Sequence, residues 1–186
     1  MINNLPAITK ASPQSAFKPD ARRAAFVKQL GQCVLVLWLA YASFLLISHF
    51  VLQSVEVDGS SMSPTLHPAD RYFLNRLVYL YRSPQRSEIV VLRDPTDGVY
   101  AVKRVIAGAG DSVEIAGGKV FVNGKLLEEP YLDPGTPTYT LALRNELSVK
   151  CGKDEFFVLG DNRKNSSDSR VYGPVNRQNI LGAIIH

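Results

Sequence analysis

The sequence predicts a mainly β chain: a coiled, barrel-like β domain preceded by one transmembrane α-helix. Three observations carry this. Residues 30–52 read LGQCVLVLWLAYASFLLISHFVL, a run longer than the roughly 20 apolar residues a helix needs to cross the hydrocarbon core. From residue 55 onward the chain breaks into short apolar runs separated by Gly, Pro, Asn and Asp, the pattern of strands joined by turns. No long amphipathic helical period follows residue 85.

The 186 residues suit one soluble domain plus an anchor. With 46% hydrophobic and 20% charged residues, the chain can build a core and is no candidate for disorder. The formal net charge is +4. Much of that excess sits before the apolar run, in Lys10, Lys18, Arg22, Arg23 and Lys28, opposed only by Asp20. Elsewhere the charges nearly balance, so no nucleic-acid surface is expected.

Residues 1–29 carry Pro, Ser, Ala and charge without an apolar period and read as a cytoplasmic tail. Residues 30–52 read as the membrane helix. A signal-peptide core is shorter, about 7–15 residues, and a buried core helix remains an alternative. The basic residues ahead of the run predict that the N-terminus stays in the cytoplasm, which puts residues 53–186 outside it.

In that domain, residues 88–92 and 99–106 read as strands. Residues 112–115 and 119–122 flank Gly117-Gly118 as a hairpin, and Asn123-Gly124 marks another turn. Residues 156–159 and 180–185 complete the set. Cys33 lies in the apolar run and Cys151 far downstream. A spanning helix keeps them further apart than the ~7 Å a disulfide allows between Cα atoms. No Cys-x-x-Cys or His-Glu-x-x-His pattern occurs, so no zinc, and no cofactor of any kind, is expected.

Three segments carry chemistry. The first runs from Asp58 through Gly-Ser-Ser-Met-Ser-Pro-Thr to Leu66. A serine among Gly and Pro can be held exposed on a constrained turn, with backbone N–H groups free to bind an oxyanion. A plain surface loop has the same composition. By chain length, this segment begins close to the end of the apolar run, so a nucleophile here would work near the bilayer surface.

The second is residues 100–111. Strand alternation puts Ala101, Lys103 and Val105 on one face. A lysine between apolar neighbours is desolvated, which lowers its pKa and suits it to take a proton from serine. An edge lysine that snorkels to water is the alternative. Arg104 faces the other way between Val102 and Ile106, so one of the two charges must be unusual or one face must be open. Histidine is a poor base here. His49 lies in the apolar run, His186 is the last residue, and His67 reads as a surface turn residue before Pro68. A Ser-Lys pair is a known substitute.

The third is residues 160–173, where Asp, Asn, Arg and Ser crowd together after an apolar strand. Asp161 or Asp168 is expected to pair with Arg163 or Arg170 in an internally bonded loop. Such a loop could also offer a hydroxyl to orient the lysine amine.

Together the three segments resemble bacterial type I signal peptidases (leader peptidases). The matches are Gly-Ser-Ser-Met-Ser-Pro-Thr at 59–65, Val-Lys-Arg-Val-Ile with Gly-Asp at 102–111, and Gly-Asp-Asn-Arg-x-Asn-Ser-x-Asp-Ser-Arg at 160–170, in the family's order and after an apolar helix. The resemblance implies that Ser61 is the acyl-forming nucleophile and Lys103 its general base. It makes Ser166 the hydroxyl that positions the amine, and Asp161, Arg163, Asp168 and Arg170 a structural ion-pair set. It implies a barrel-like β fold and cleavage of signal peptides of exported preproteins after Ala-x-Ala sequences, at the outer face of a bacterial membrane. The substrate binds as an added strand, and Val55, Val57, Leu66 and Val102 are candidates to line its pockets. Ordinary core packing is the other explanation for those four.

The chain departs from the family pattern in places. Some members use a serine two residues before the nucleophile in the oxyanion hole, where this chain has Gly59. The hole would then rest on the Ser61 N–H, with Ser60 as a further contributor. Lys164 stands where an acidic residue is frequent, and Cys151 has no partner for the disulfide of some relatives. Rival readings are a specialised peptidase for a pilin or conjugation substrate, an inactive membrane-tethered peptide-binding domain, and a self-cleaving transcriptional regulator. The last is disfavoured by the lack of a helix-turn-helix in residues 1–52.

Overall fold

A computed structural model describes residues 20–50, 53–56, 58–140 and 146–185. The chain divides into two units, Met1–Phe44 and Leu45–His186.

The first is built on helix α1, Asp20–Phe50. It begins well before the expected residue 30, because Ala21, Arg22, Arg23, Ala24 and Ala25 are strong helix formers. Its part long and apolar enough to cross a membrane is Arg23–Leu45, with mean hydropathy 1.4. Among the described residues its side chains stand exposed: Val36, Leu37 and Trp38 are all more than 60% exposed. A helix apolar on every side needs lipid or another partner. The first part of the expected tail, residues 1–19, lies outside the described residues.

The second unit is mostly β, with a curled, half-barrel sheet of seven antiparallel strands in the order β1-β2-β11-β3-β4-β9-β10. These are β1 (Gln53–Glu56), β2 (Arg71–Asn75), β3 (Ile89–Arg93), β4 (Tyr100–Ala107), β9 (Glu155–Leu159), β10 (Val175–Asn176) and β11 (Ile180–Ile185). A second sheet orders β7 (Lys125–Leu126), β6 (Lys119–Val122), β5 (Ser112–Ala116) and β8 (Leu147–Lys150). Short helices Val78–Tyr81 (α2) and Ser169–Tyr172 (α3) fill connections.

The expected hairpin forms at Gly117 and Gly118, whose φ angles are 58° and 75°. Such positive values match the twist of the flanking strands, and glycine adopts them without strain. Asn123 and Gly124 repeat the device before β7.

Strand β3 reads as a continuous apolar run because both its faces are covered. Val90 and Leu92 join a core with Val105, Phe156 and Val158, while Ile89 and Val91 join one with Met62, Leu66 and Leu74. Strand β4 carries a bulge against β9 between Val105 and Ala107. The extra residue breaks strict alternation, so Ile106 and Ala107 both enter the third core, beneath the small sheet. Cys151 is buried there, and burial pushes its thiol up to about 11.

Candidate active site

Ser61 lies on the turn after β1, and the turn is nailed down by Met62 and Leu66, both fully buried. Leu66 N–H donates to the Met62 carbonyl (3.0 Å) and Ser63 N–H to the Ser60 carbonyl (3.1 Å). Lys103 comes from β4, and its Nζ lies 3.1 Å from Ser61 Oγ. The Ser61 hydroxyl also reaches the Val102 carbonyl at 3.5 Å. Lys103 is 4% exposed. Burial pushes its amine below the ordinary lysine range, against the opposing pull of Asp168 and Asp94, while Arg170 pushes it down further. No carboxylate contacts the amine among the described residues. A desolvated amine without a counter-ion can be neutral and accept a proton.

The third segment packs against this pair. Asn162 N–H donates to the Ser61 carbonyl at 2.9 Å, and its side-chain amide donates to the Ser60 carbonyl at 3.1 Å. Among the described residues no acceptor takes the Ser61 N–H, so that donor is free for a ligand. Gly59 lies in the open; a Cβ there would meet nothing within 4 Å. Gly160 is the reverse case. A Cβ there would collide with Ser166 Oγ and lie 2.6 Å from the Ser61 carbonyl oxygen. Ser166 is therefore wedged beside the Ser61 backbone. Its hydroxyl is buried and has no hydrogen-bond partner among the described residues, the Lys103 amine included.

The ion pairs differ in part from expectation. Asp168 does pair with Arg170, at 2.8 Å, and Asp168 also accepts from Gly160 N–H. Asp161, however, takes Arg104 bidentately, at 2.9 and 2.6 Å, rather than Arg163. Arg163 turns to Glu129, with Nη2 2.5 Å from Oε1, because its Nε is committed to the Gly160 carbonyl on the other side. The puzzle of adjacent charges on β4 resolves without an open face: both are buried, and Arg104 brings its own counter-ion. Lys164 is exposed. His67 is also exposed, with Nδ1 3.9 Å from Asp70.

A cavity of about 320 Å³ opens at the pair, lined among others by Val55, Gly59, Ser61, Ala101, Val102 and Lys103. A smaller one of about 110 Å³ shares Val55 with it and reaches Leu74, Arg76 and Leu181. Val55 and Val102 thus face the groove. Leu66 does not: it has no exposed surface and packs in the core with Met62. Val57 lies outside the described residues. Sequence reasoning missed Thr65, whose hydroxyl donates to Asp161 at 2.6 Å. It also missed Asn162, although both lie inside the quoted motifs. Glu129 carried no signal at all.

Beside the groove, β4 has a free edge. Its residues Tyr100 to Lys103 pair with β3 on one side, but on the other side β9 ends at Leu159, opposite Arg104. Val105 exchanges bonds toward Ser87 and Glu88. By the alternation of an antiparallel ladder, Val102 and Tyr100 therefore aim their main-chain groups at the free side, where Ser61 sits.

Such a site defines a class, the serine peptidases in which an amine rather than an imidazole stands beside the nucleophile. The chain belongs to the signal peptidase family, peptidase S26, whose model matches residues 27–185. It is 35% identical over 167 residues to signal peptidase I of Bacillus amyloliquefaciens, across 88% of this chain and 85% of that one. It is 41% identical over 140 residues to a Synechocystis protein named probable signal peptidase I-2, across 72% of this chain but 61% of the relative's length. A crystal structure of a signal peptidase I from Enterococcus faecalis superposes with a TM-score of 0.48 at 26% identity, over 56% of this chain and 98% of that one.

Proposed function

We propose that this chain is a membrane-anchored serine endopeptidase that removes N-terminal signal peptides from exported preproteins. The observation that carries the reading is the 3.1 Å approach of a buried, unpaired lysine amine to a serine hydroxyl beside a free strand edge. Family membership supports the substrate class.

In this mechanism, neutral Lys103 Nζ takes the proton from Ser61 Oγ as the oxygen attacks the scissile carbonyl carbon. The oxyanion that forms accepts from the free Ser61 N–H. Lys103, now an ammonium, gives its proton to the departing amine, leaving the signal peptide's last residue as an ester on Ser61. Lys103 then deprotonates a water molecule, which attacks the ester, and the proton returns to Ser61. Ser166, whose buried hydroxyl lacks a partner among the described residues, is proposed to orient the amine by a small side-chain shift. Asp161, Arg163, Asp168 and Arg170 hold the loops.

The substrate segment before the cut is proposed to lie along β4, bonding to Tyr100 and Val102 by strand addition. The two adjoining cavities would take its first- and third-position side chains, and the family's preference for alanine there is carried over to this chain. The helix Arg23–Leu45 is proposed as the bilayer anchor. Arg23 at its start and the basic residues before it favour a cytoplasmic N-terminus, with residues 53–186 as the peptidase domain outside.

The test is cleavage of a model preprotein in detergent or liposomes, with wild type beside Ser61→Ala and the cut mapped by mass spectrometry. Cleavage after Ala-x-Ala by wild type alone is expected. Equal cleavage by the alanine variant, or none by wild type, sinks the reading.

A further inference from the structure

We propose that Glu129 and Tyr131, which lie in the connection between β7 and β8 and outside all three motif segments, are positioning residues for Ser61 and Lys103. The inference rests on the peptidase reading above.

Two arms run from this connection to the pair. In the first, the Arg104 guanidinium lies over the Tyr131 ring, 3.9 Å from its centre. Arg104 follows Lys103 directly on β4 and leaves by the opposite face. Its guanidinium grips Asp161 at 2.9 and 2.6 Å, and Asp161 in turn accepts from Thr65 Oγ1 at 2.6 Å. Thr65 is on the same turn as Ser61. Tyr131 thus backs a chain of contacts that ends on the nucleophile's turn at one side and on the base's strand at the other.

In the second arm, both Glu129 oxygens receive Arg163, at 2.5 and 3.2 Å, and Thr138 also takes that guanidinium. Arg163 Nε donates to the Gly160 carbonyl at 3.0 Å. Asn162, the neighbour of Arg163 in sequence, donates its N–H to the Ser61 carbonyl at 2.9 Å. The Tyr131 hydroxyl donates to Glu129 Oε1 at 2.8 Å, which ties the arms together.

Arg104 and Arg163 are 5% and 2% exposed. Without the Glu129 carboxylate the buried Arg163 guanidinium is left uncompensated and is free to shift, and without the Tyr131 ring Arg104 loses the cation–π contact that backs it. Either movement is passed to a turn that must hold Oγ within hydrogen-bond reach of Nζ. Displacements near 1 Å at a reacting group cost up to about 100-fold in rate. Glu129 and Tyr131 do not line the groove, so substrate binding should be spared.

The test compares kcat and KM on a model preprotein for the full chain, well below each variant's melting midpoint. Tyr131→Leu removes the ring, and kcat is expected to fall about tenfold with KM within about twofold. Tyr131→Phe keeps the ring over Arg104 and should recover most of the lost kcat. Glu129→Gln should lower kcat several-fold in the same pattern, while Glu128→Gln, on an exposed neighbour, should match wild type. Full kcat in folded Tyr131→Leu and Glu129→Gln overturns the proposal, as does a loss in Tyr131→Leu that Tyr131→Phe does not restore. If Tyr131→Leu does not fold, Glu129→Gln decides. Failure of wild type to cleave overturns the peptidase reading instead, and is seen before any variant is compared.

Discussion

Lys103 and Arg104 are consecutive residues that leave β4 by opposite faces, and both are buried, yet only Arg104 meets a carboxylate. The difference matches their chemistry. Arginine stays charged in any protein environment and must bring a counter-ion. Lysine can shed its proton when burial makes the charge costly. The strand therefore holds a permanent cation with its counter-ion on one side and, on the other, the amine proposed as the proton acceptor.

Replacement of either partner of the pair should stop turnover. Ser61→Ala, Lys103→Ala and Lys103→Arg are each expected to lower kcat by at least about 1,000-fold. Thermal melting should show each variant folded. Lys103→Arg is the most telling, since it keeps a positive charge and removes only the capacity to be neutral.

The pH profile should follow the amine. Activity requires neutral Lys103, so kcat/KM rises with pH through the lowered lysine pKa. Asp94 and Asp168 raise that pKa and Arg170 lowers it. Asp168 is tied to Arg170, but Asp94 can be changed alone. Asp94→Asn removes a negative charge, disfavours the ammonium, and should move the acid limb toward lower pH. A limb that stays put, or moves up, contradicts the assignment of Lys103 as base.

Stability should carry the same signature. The folded pKa of Lys103 lies below the unfolded one, so between them the unfolded chain binds the extra proton and stability rises with pH. The penalty is complete below the folded value and gone above the unfolded one. Lys103→Met should therefore melt higher than wild type at neutral pH, and the gap should close in strong base.

Gly160→Ala should separate packing from chemistry at one atom. Its Cβ would lie 2.6 Å from the Ser61 carbonyl oxygen and against Ser166, so backbone must shift. A loss of about 1–3 kcal/mol in denaturant unfolding is expected, together with a fall in kcat approaching 100-fold. Wild-type kinetics in this variant would show that the nucleophile's turn tolerates displacement.

Gly59→Ser should do the opposite. Nothing lies within 4 Å of a Cβ there, and the position lines the groove. The melting midpoint should not change, and kcat should rise up to about tenfold if the new hydroxyl reaches the developing oxyanion. A drop in kcat at unchanged stability would mean the hydroxyl points elsewhere.

Much of the scaffold was legible because local pattern and final environment agree. Residues 112–122 alternate apolar and polar about two glycines, and they fold as a hairpin with one buried face. Strands β1, β2, β7, β8 and β10 were not legible. Arg71–Asn75 has only one fully buried side chain, Leu74, and is a strand because β1 and β11 flank it. The start of α1 was displaced because a membrane-length argument looks for apolar residues, whereas helix formation also recruits Ala and Arg.

The primary sequence by itself determined an apolar helix, a β domain after it, and the family motifs, because period, turn residues and motif spacing are local properties. Tertiary structure alone decided who meets whom. Asp161 pairs with Arg104 from a strand 57 positions away, Arg163 with Glu129 from a connection without a motif, and Leu66 turns inward rather than toward the groove. A buried charge or apolar side chain accepts whichever complement the packed chain brings near it, and that proximity is set by sheet order and register, which no short stretch of sequence contains.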